Sequence, residues 1–393
     1  MITRDSSIFK TVMGEREMSR QKSKQITISR VPSPQVELGK CLCMASMMSL
    51  VLRSGLHSER LPTKSVGSHK SMETFHSIRK IYYMIVAVVG VPVNLVAIVI
   101  LSQGKCGLSN CTTRYLVAMA TADLLAIVTA VILWQIVPYY FPKSFLEITP
   151  VCSGIFVLLY AATDCSVWFT VAFSFDRCVA ICCPKLKIKY CTEKTAAVVL
   201  SVICILFSLK DIPFYFIFEP EEVIDNVPWF CKVTTSYHTD SRWVDFNWLN
   251  TVLTPLLPYV LILLLNTLTV RYILVASRVR KALRGQKKIE NRSDPEMESR
   301  RRSVILLFAI SGTFIILWLL YVVNFLHNII TGDGPEYNDS LYILAKVAVM
   351  LSDLSCCTNT FIYGVTQSKF RDQFKSAVKY PVTSIIVLIN KQN

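Results

Sequence analysis

Seven apolar runs, each near the same length, recur along the chain at 79–101, 115–137, 151–175, 195–217, 248–271, 303–327 and 341–365. A helix needs roughly 20 apolar residues to cross a hydrocarbon core about 30 Å thick. The pattern therefore predicts seven membrane-spanning helices, an all-α membrane protein. The fourth run is the weakest, interrupted by Lys210, Asp211 and Pro213, and the seventh is the most polar, with Lys346, Asp353 and Asn359. Both are counted, because dropping either leaves the charges of the loops inconsistent.

Composition agrees. The chain has 393 residues, is 52% apolar and carries 18% charged residues, against about 25% in soluble domains. The charges lie in blocks between the runs. The loop 272–302 holds ten Lys/Arg against four acids, and Lys185, Lys187, Lys189 and Lys194 follow the third run. On the other side, 210–245 is acidic, and 328–340 has no Lys or Arg. Positive loops stay cytoplasmic, so the C-terminus is expected inside and the N-terminus outside, in the plasma membrane. The net charge of +15 is then a topology signal, and nucleic acid is not an expected partner; membrane lipid is.

Residues 1–74 read as a disordered basic tail, Ser/Lys/Arg-rich with one apolar patch, Cys41–Leu52, too short to span. Met72 stands just before the first run, and residues 1–71 are expected to be a non-functional extension or an artefact of gene prediction.

The 14 cysteines show no CxxC or Cys/His spacing, so no zinc site is expected. Cys152, at the outer mouth of the third run, and Cys231, in the acidic outer loop, face an oxidising compartment where a disulfide can form. Of three N-x-S/T triplets, Asn110 and Asn291 are expected on the cytoplasmic side, and Asn338 is expected outside, where a glycosylation acceptor must lie.

Polar groups within a membrane usually face the bundle interior and mark function. Asp123, Ser166, Asn94 and Asn359 lie within four different runs. Asp123, Ser166 and Asn359 together could coordinate a small hard cation, such as sodium, through oxygens. Equally, they could hydrogen-bond one another as helix glue. Asp164 and Asp353 are further buried acids. No Gly-rich phosphate loop, HExxH motif or nucleophile elbow occurs, and the chain is not expected to be an enzyme.

The third run closes on "FDRC", with Asp176 and Arg177 adjacent. Cys152 and Arg177 are separated by roughly 37 Å of helix, enough to join the two membrane faces. With Asn94, "LVAMATADLL", Pro258, Trp318, "NTFIY" (Asn359–Tyr363) and "SKFRDQF", this resembles a rhodopsin-like (class A) G-protein-coupled receptor over about 75–380. The resemblance implies a receptor domain at 75–366, then an amphipathic eighth helix and short tail at 367–393, with Phe370 and Phe374 on one helix face. It implies that Asp176 holds Arg177 at rest, that Trp318, Asn359 and Tyr363 belong to the activation switch, and that heterotrimeric G proteins are the partners. It further implies an extracellular ligand, and the chain's likeness to one orphan member of that family implies an aromatic amino acid or small peptide and coupling mostly through the Gq class.

The chain departs from the family pattern in several places. Cys178 follows Arg177, the fourth run has no Trp, and Leu320, Thr360 and Asn266 replace a Pro, a Pro and a Tyr. Arg300, Arg301 and Arg302 stand at the foot of the sixth run without the usual acid, which predicts a weakly restrained resting state. Leu159 stands where amine receptors carry an Asp, disfavouring an amine ligand. Asp353, Lys346, Asn324 and Tyr321, beside Trp318, are the groups expected to face the outer cavity, the two charged ones engaging the ends of a zwitterion. The competing reading is a seven-helix ion channel or transporter using Asp123, Asp164 and Asp353 as a pathway.

Overall fold

The computed structural model describes residues 66–284, 295–331 and 339–376. Residues 1–65 of the tail and two of the sequons, Asn291 and Asn338, lie outside them. Among the described residues, seven helices are long and apolar enough to cross a membrane, one for each predicted run. They are α1 (Val66–Ser102), α2 (Asn110–Tyr140), α3 (Thr149–Cys182), α4 (Glu193–Ile217), α5 (Ser241–Val279), α6 (Pro295–Thr331) and α7 (Asp339–Thr366). Helix α1 begins at Val66, upstream of the boundary drawn at residue 74.

Helix α3 is the centre of the bundle and packs against α2, α4, α5 and α6, while α1 packs on α2 and α7, and α6 on α7. Small residues set some of these approaches. A Cβ on Gly90 of α1 would stand 2.6 Å from both Cys357 Sγ of α7 and Ile127 Cδ1 of α2. Large apolar side chains such as Val88, Leu158, Val198, Phe216 and Ile316 stay exposed on the outside of the spans, where lipid rather than water surrounds a spanning helix.

Two helices depart from regular α geometry in mid-span beside a proline, and α4 ends in a 3-10 stretch, Ile212–Ile217, that contains Pro213. The middle of α2 is a π-helix, Ile127–Ile136, running into Pro138, and α5 has a π segment, Val252–Leu256, containing Pro255. A proline offers no N–H to the preceding turn and disfavours helical geometry one residue earlier; Thr254 accordingly sits at φ −150° and ψ 108°. Helix α5 also begins before the predicted 248, because its first turns, "SRWVDFN", are polar.

A short helix, Pro184–Tyr190, follows α3, and α8 (368–376) follows α7. Phe370 of α8 is buried against Tyr363, with ring centroids 5.9 Å apart, and Phe374 stacks on Phe370. At the opposite end the α4–α5 connection adds two small antiparallel pairs, β1 (Phe218–Glu219) with β4 (Lys232–Val233) and β2 (Glu222–Ile224) with β3 (Val227–Trp229). Asp225 and Asn226 carry φ of 51° and 60°, the double left-handed turn that suits a twisted hairpin. The disulfide Cys152–Cys231 ties this segment to α3, and Thr149 Oγ1 donates to the Phe230 carbonyl at 2.7 Å beside it.

Candidate functional site

At the end of α3 away from the disulfide, the apolar run stops at Asp176 and Arg177, yet both are 6% exposed. A buried charge needs a partner and hydrogen bonds. Arg177 donates to Asp176 Oδ2 through Nε at 2.9 Å and also through Nη2. Asp176 Oδ1 accepts from the Cys111 thiol at 3.2 Å, and its backbone carbonyl from Cys191 at 3.6 Å. Burial, reinforced by the Asp176 charge, pushes the Cys191 thiol up to about 12. Nothing in the spacing of the cysteines singles out these two thiols. A cavity of about 340 Å³ opens beside Arg177, with Arg302 of α6 on its wall.

In the middle of the bundle the polar residues converge as their positions suggested. Asp123 of α2, fully buried, accepts from Ser166 Oγ of α3 and from Asn359 Nδ2 of α7 at 2.8 Å. Asn94 of α1 donates to the carbonyls of Gly90 and Cys356 at 3.0 and 2.9 Å. Thr360, in the place of a proline, donates its hydroxyl to Asn94 Oδ1 at 3.4 Å, so the departure joins α7 to α1. Asn266 of α5 accepts from Ser311 of α6 at 3.1 Å. Beside Ser166 and Asn359 lies a cavity of about 10 Å³, room for about one water. Carboxylate, hydroxyl and amide oxygens are hard donors of the kind a small cation takes; Ser166 and Asn359 line this cavity, and Asp123 stands behind them, its two oxygens accepting their hydrogen bonds.

Towards the disulfide end, Trp318 is buried. Its indole N–H donates to Ser355 Oγ at 3.2 Å, and its ring lies 5.4 Å from Phe314 and 5.7 Å from Tyr321. Asp353 accepts from the Tyr83 hydroxyl of α1 at 3.1 Å. Lys346 lies over the ring of Tyr342 one turn earlier on α7. The structure gives Asp353 and Lys346 separate local partners and does not join them. Leu159, Asn324 and Tyr321 are half-buried.

One cluster went unread. Lys210 of α4, which looked like a flaw in the fourth run, sits 2.6 Å from Asp164 of α3 and 2.6 Å from Asp211, and donates to Asn250 of α5. An aromatic layer lies one turn outward on the same three helices, where Phe214 stacks on Tyr160 at 4.3 Å and meets Phe246 at 5.0 Å. An acid in the third run and a Lys–Asp pair in the fourth were the available signal. Asp123, Asp164 and Asp353 thus belong to three separate networks.

The bundle of seven spanning helices, with a buried Asp–Arg pair at one end of its central helix and a disulfide at the other, has the layout of a seven-transmembrane receptor. The chain belongs to the rhodopsin family of such receptors. The family model described as "7 transmembrane receptor (rhodopsin family)" matches residues 93–363. The chain is 24% identical to the cysteinyl leukotriene receptor 1 of Cavia porcellus over 71% of its own length and 78% of the relative's. It is 23% identical to the FMRFamide receptor of Drosophila melanogaster, over 74% and 52%, and 22% identical to the C-C chemokine receptor type 1 of Macaca fascicularis, over 74% and 76%. It is therefore a multi-pass plasma-membrane receptor, a signalling protein rather than an enzyme, whose partners are a G protein and an extracellular ligand.

Proposed function

We propose that the end bearing Arg177 is cytoplasmic and that the receptor answers an aromatic amino acid or a small peptide, mainly through G proteins of the Gq class. The N-terminus is then extracellular. The observation that carries the activation reading is the buried Asp176–Arg177 pair at the rim of an open cavity. Ligand binding shifts the population towards a state in which α6 moves outward and Arg177 turns to the G protein. Trp318 couples the ligand side to this step through Ser355 of α7, and Asn359 and Tyr363 carry it towards the cytoplasm.

The ligand reading rests on resemblance and on chemistry. "CTTRYLVAMATADLL", "CSVWFTVAFSFDRCVAICC" and "SCCTNTFIYGVTQSKFR" read like orphan G-protein-coupled receptor 139 and its fish relatives. The names of the relatives point to leukotrienes, a peptide amide and chemokines, which do not single out one class. Asp353, Lys346, Asn324 and Tyr321 with Leu159 and Trp318 form the proposed ligand face, Asp353 exchanging its Tyr83 bond for the ligand's cationic end. Asp123, Ser166 and Asn359 would hold an allosteric sodium ion, which stabilises the resting state when bound.

A panel of G-protein dissociation sensors in cells, with tryptophan and phenylalanine as probes, tests this. Gq dissociation that rises with either probe and falls at least about tenfold in potency in Asp353→Asn, the loss of one charge-assisted hydrogen bond, is the expected result. Dissociation confined to other classes, or a potency indifferent to Asp353, rejects the finer reading.

A further inference from the structure

Two contacts fix how α1 and α7 lie side by side at the disulfide end. The rings of His76 and Tyr342 are 6.4 Å apart, and the Tyr83 hydroxyl donates to Asp353 at 3.1 Å. On α1, Arg79 and Lys80 stand about one turn in from His76 and about one turn out from Tyr83, so they share the side that faces the seam. On α7, Lys346 stands one turn in from Tyr342, with its ammonium over that ring. The charges of Arg79, Lys80 and Lys346 all act on the His76 imidazole, and that of Arg79 also reaches the Tyr83 hydroxyl. Three cations thus gather at one seam, each of them half-buried. Among the described residues no ion pair joins any of them to an acid. The nearest acids along the two helices are Glu73, Asp339 and Asp353, each about 10 Å of helix away. Lys80 is occupied by the Tyr139 ring of α2, 3.5 Å from its centroid. That leaves Arg79 and Lys346 to meet across the seam. Beside them Tyr139, Tyr140 and Phe141 stay exposed at the end of α2.

We propose that Arg79 and Lys346 form a subsite for the carboxylate of a small organic ligand, whose apolar body rests on the aromatic end of α2. Like charges at one seam repel, and a carboxylate set between them turns that repulsion into charge-assisted hydrogen bonds. The planar guanidinium of Arg79 supplies a fork that matches both carboxylate oxygens, and Lys346 adds a point charge from the second helix. Lys80 stays over its tyrosine, and the two together make the edge that the apolar body meets. The acidic end of the ligand then lies between α1 and α7, and Asp353, two turns further in, is left for a cationic end. That the anion belongs to the receptor's own ligand rests on the ligand face proposed above; the binding of a carboxylate at the seam does not.

The test uses the full-length receptor in phosphatidylcholine nanodiscs and reads the binding of three probes from the shift in melting temperature. Tryptophan carries both charges, N-acetyltryptophan the carboxylate alone, and tryptophanamide the ammonium alone. Saturable binding of N-acetyltryptophan, about tenfold weaker in Arg79→Gln and in Lys346→Gln, is expected, with tryptophanamide indifferent to either change. Arg79→Lys keeps the charge without the fork and is expected to lose less, which keeps the test readable where Arg79→Gln impairs folding. No saturable binding of N-acetyltryptophan, an affinity unchanged by these substitutions, or an equal loss for tryptophanamide overturns the proposal. A second arm adds phosphatidylglycerol to the nanodiscs. Competition with the probe that depends on Arg79 would assign the seam to a lipid headgroup and overturn the proposal as well. Carboxylate binding with the expected losses, in a receptor whose Gq signal ignores every probe, would confirm the subsite and count against the ligand proposed above.

Discussion

Two carboxylates, Asp164 and Asp211, share the ammonium of Lys210 inside the bundle. Removing one member of a buried charge group leaves the others uncompensated and costs about 3–5 kcal/mol, whereas replacing the whole group with apolar residues is often neutral. Lys210→Met is therefore expected to lower the melting temperature of the purified receptor strongly. The triple change Lys210→Met, Asp164→Leu, Asp211→Leu is expected to recover most of that loss. A single variant as stable as wild type would show that the ammonium carries no structural load. Sequence made part of this legible. Asp123, Ser166 and Asn359 stood out because each is polar within an apolar run, and their spans had to meet in any bundle. Lys210 and Asp211 carried the same signal but were taken as an interruption, because a linear pattern does not say which face of a helix a charge occupies.

At the scale of elements, close packing and covalent ties set the helix positions. Gly90 leaves α1 in contact with Cys357 and Ile127, and overpacking such a seam costs about 1–3 kcal/mol. Gly90→Val is expected to reduce surface expression, and adding Cys357→Ala should restore part of it by opening the space. No rescue would place the cost in the backbone of α1 instead. The bond between Cys152 and Cys231 holds the β2–β3 hairpin segment on α3, and loss of a native disulfide typically costs about 2–5 kcal/mol. Cys152→Ala, Cys231→Ala and the double variant should therefore lose the same stability in a thermal melt; additive losses would contradict a shared bond. The seven spans were legible because hydrophobic length is a strong constraint in lipid. The π segments at Ile127–Ile136 and Val252–Leu256 were not, because proline marks where a helix is disturbed without specifying how the freed backbone groups are satisfied. The four short strands escaped for a different reason, since two- and three-residue pairs leave no periodicity to read.

For the whole molecule, the charge asymmetry of the loops predicts which face is which. A tag inserted between Asp225 and Asn226, at the hairpin tip, should bind antibody on intact cells. One inserted among Lys185, Lys187 and Lys189 should bind only after permeabilisation, and the reverse pattern would invert the topology. The account as a whole turns on Arg177, which is buried, held by Asp176, and set at the rim of a cavity that a G protein would have to enter. The decisive measurement compares G-protein dissociation for the intact chain and Arg177→Ala at matched surface expression, with and without aromatic amino acids. The account predicts a basal and ligand-raised signal in the intact chain that is lost in the variant. A signal of equal size in Arg177→Ala would contradict it.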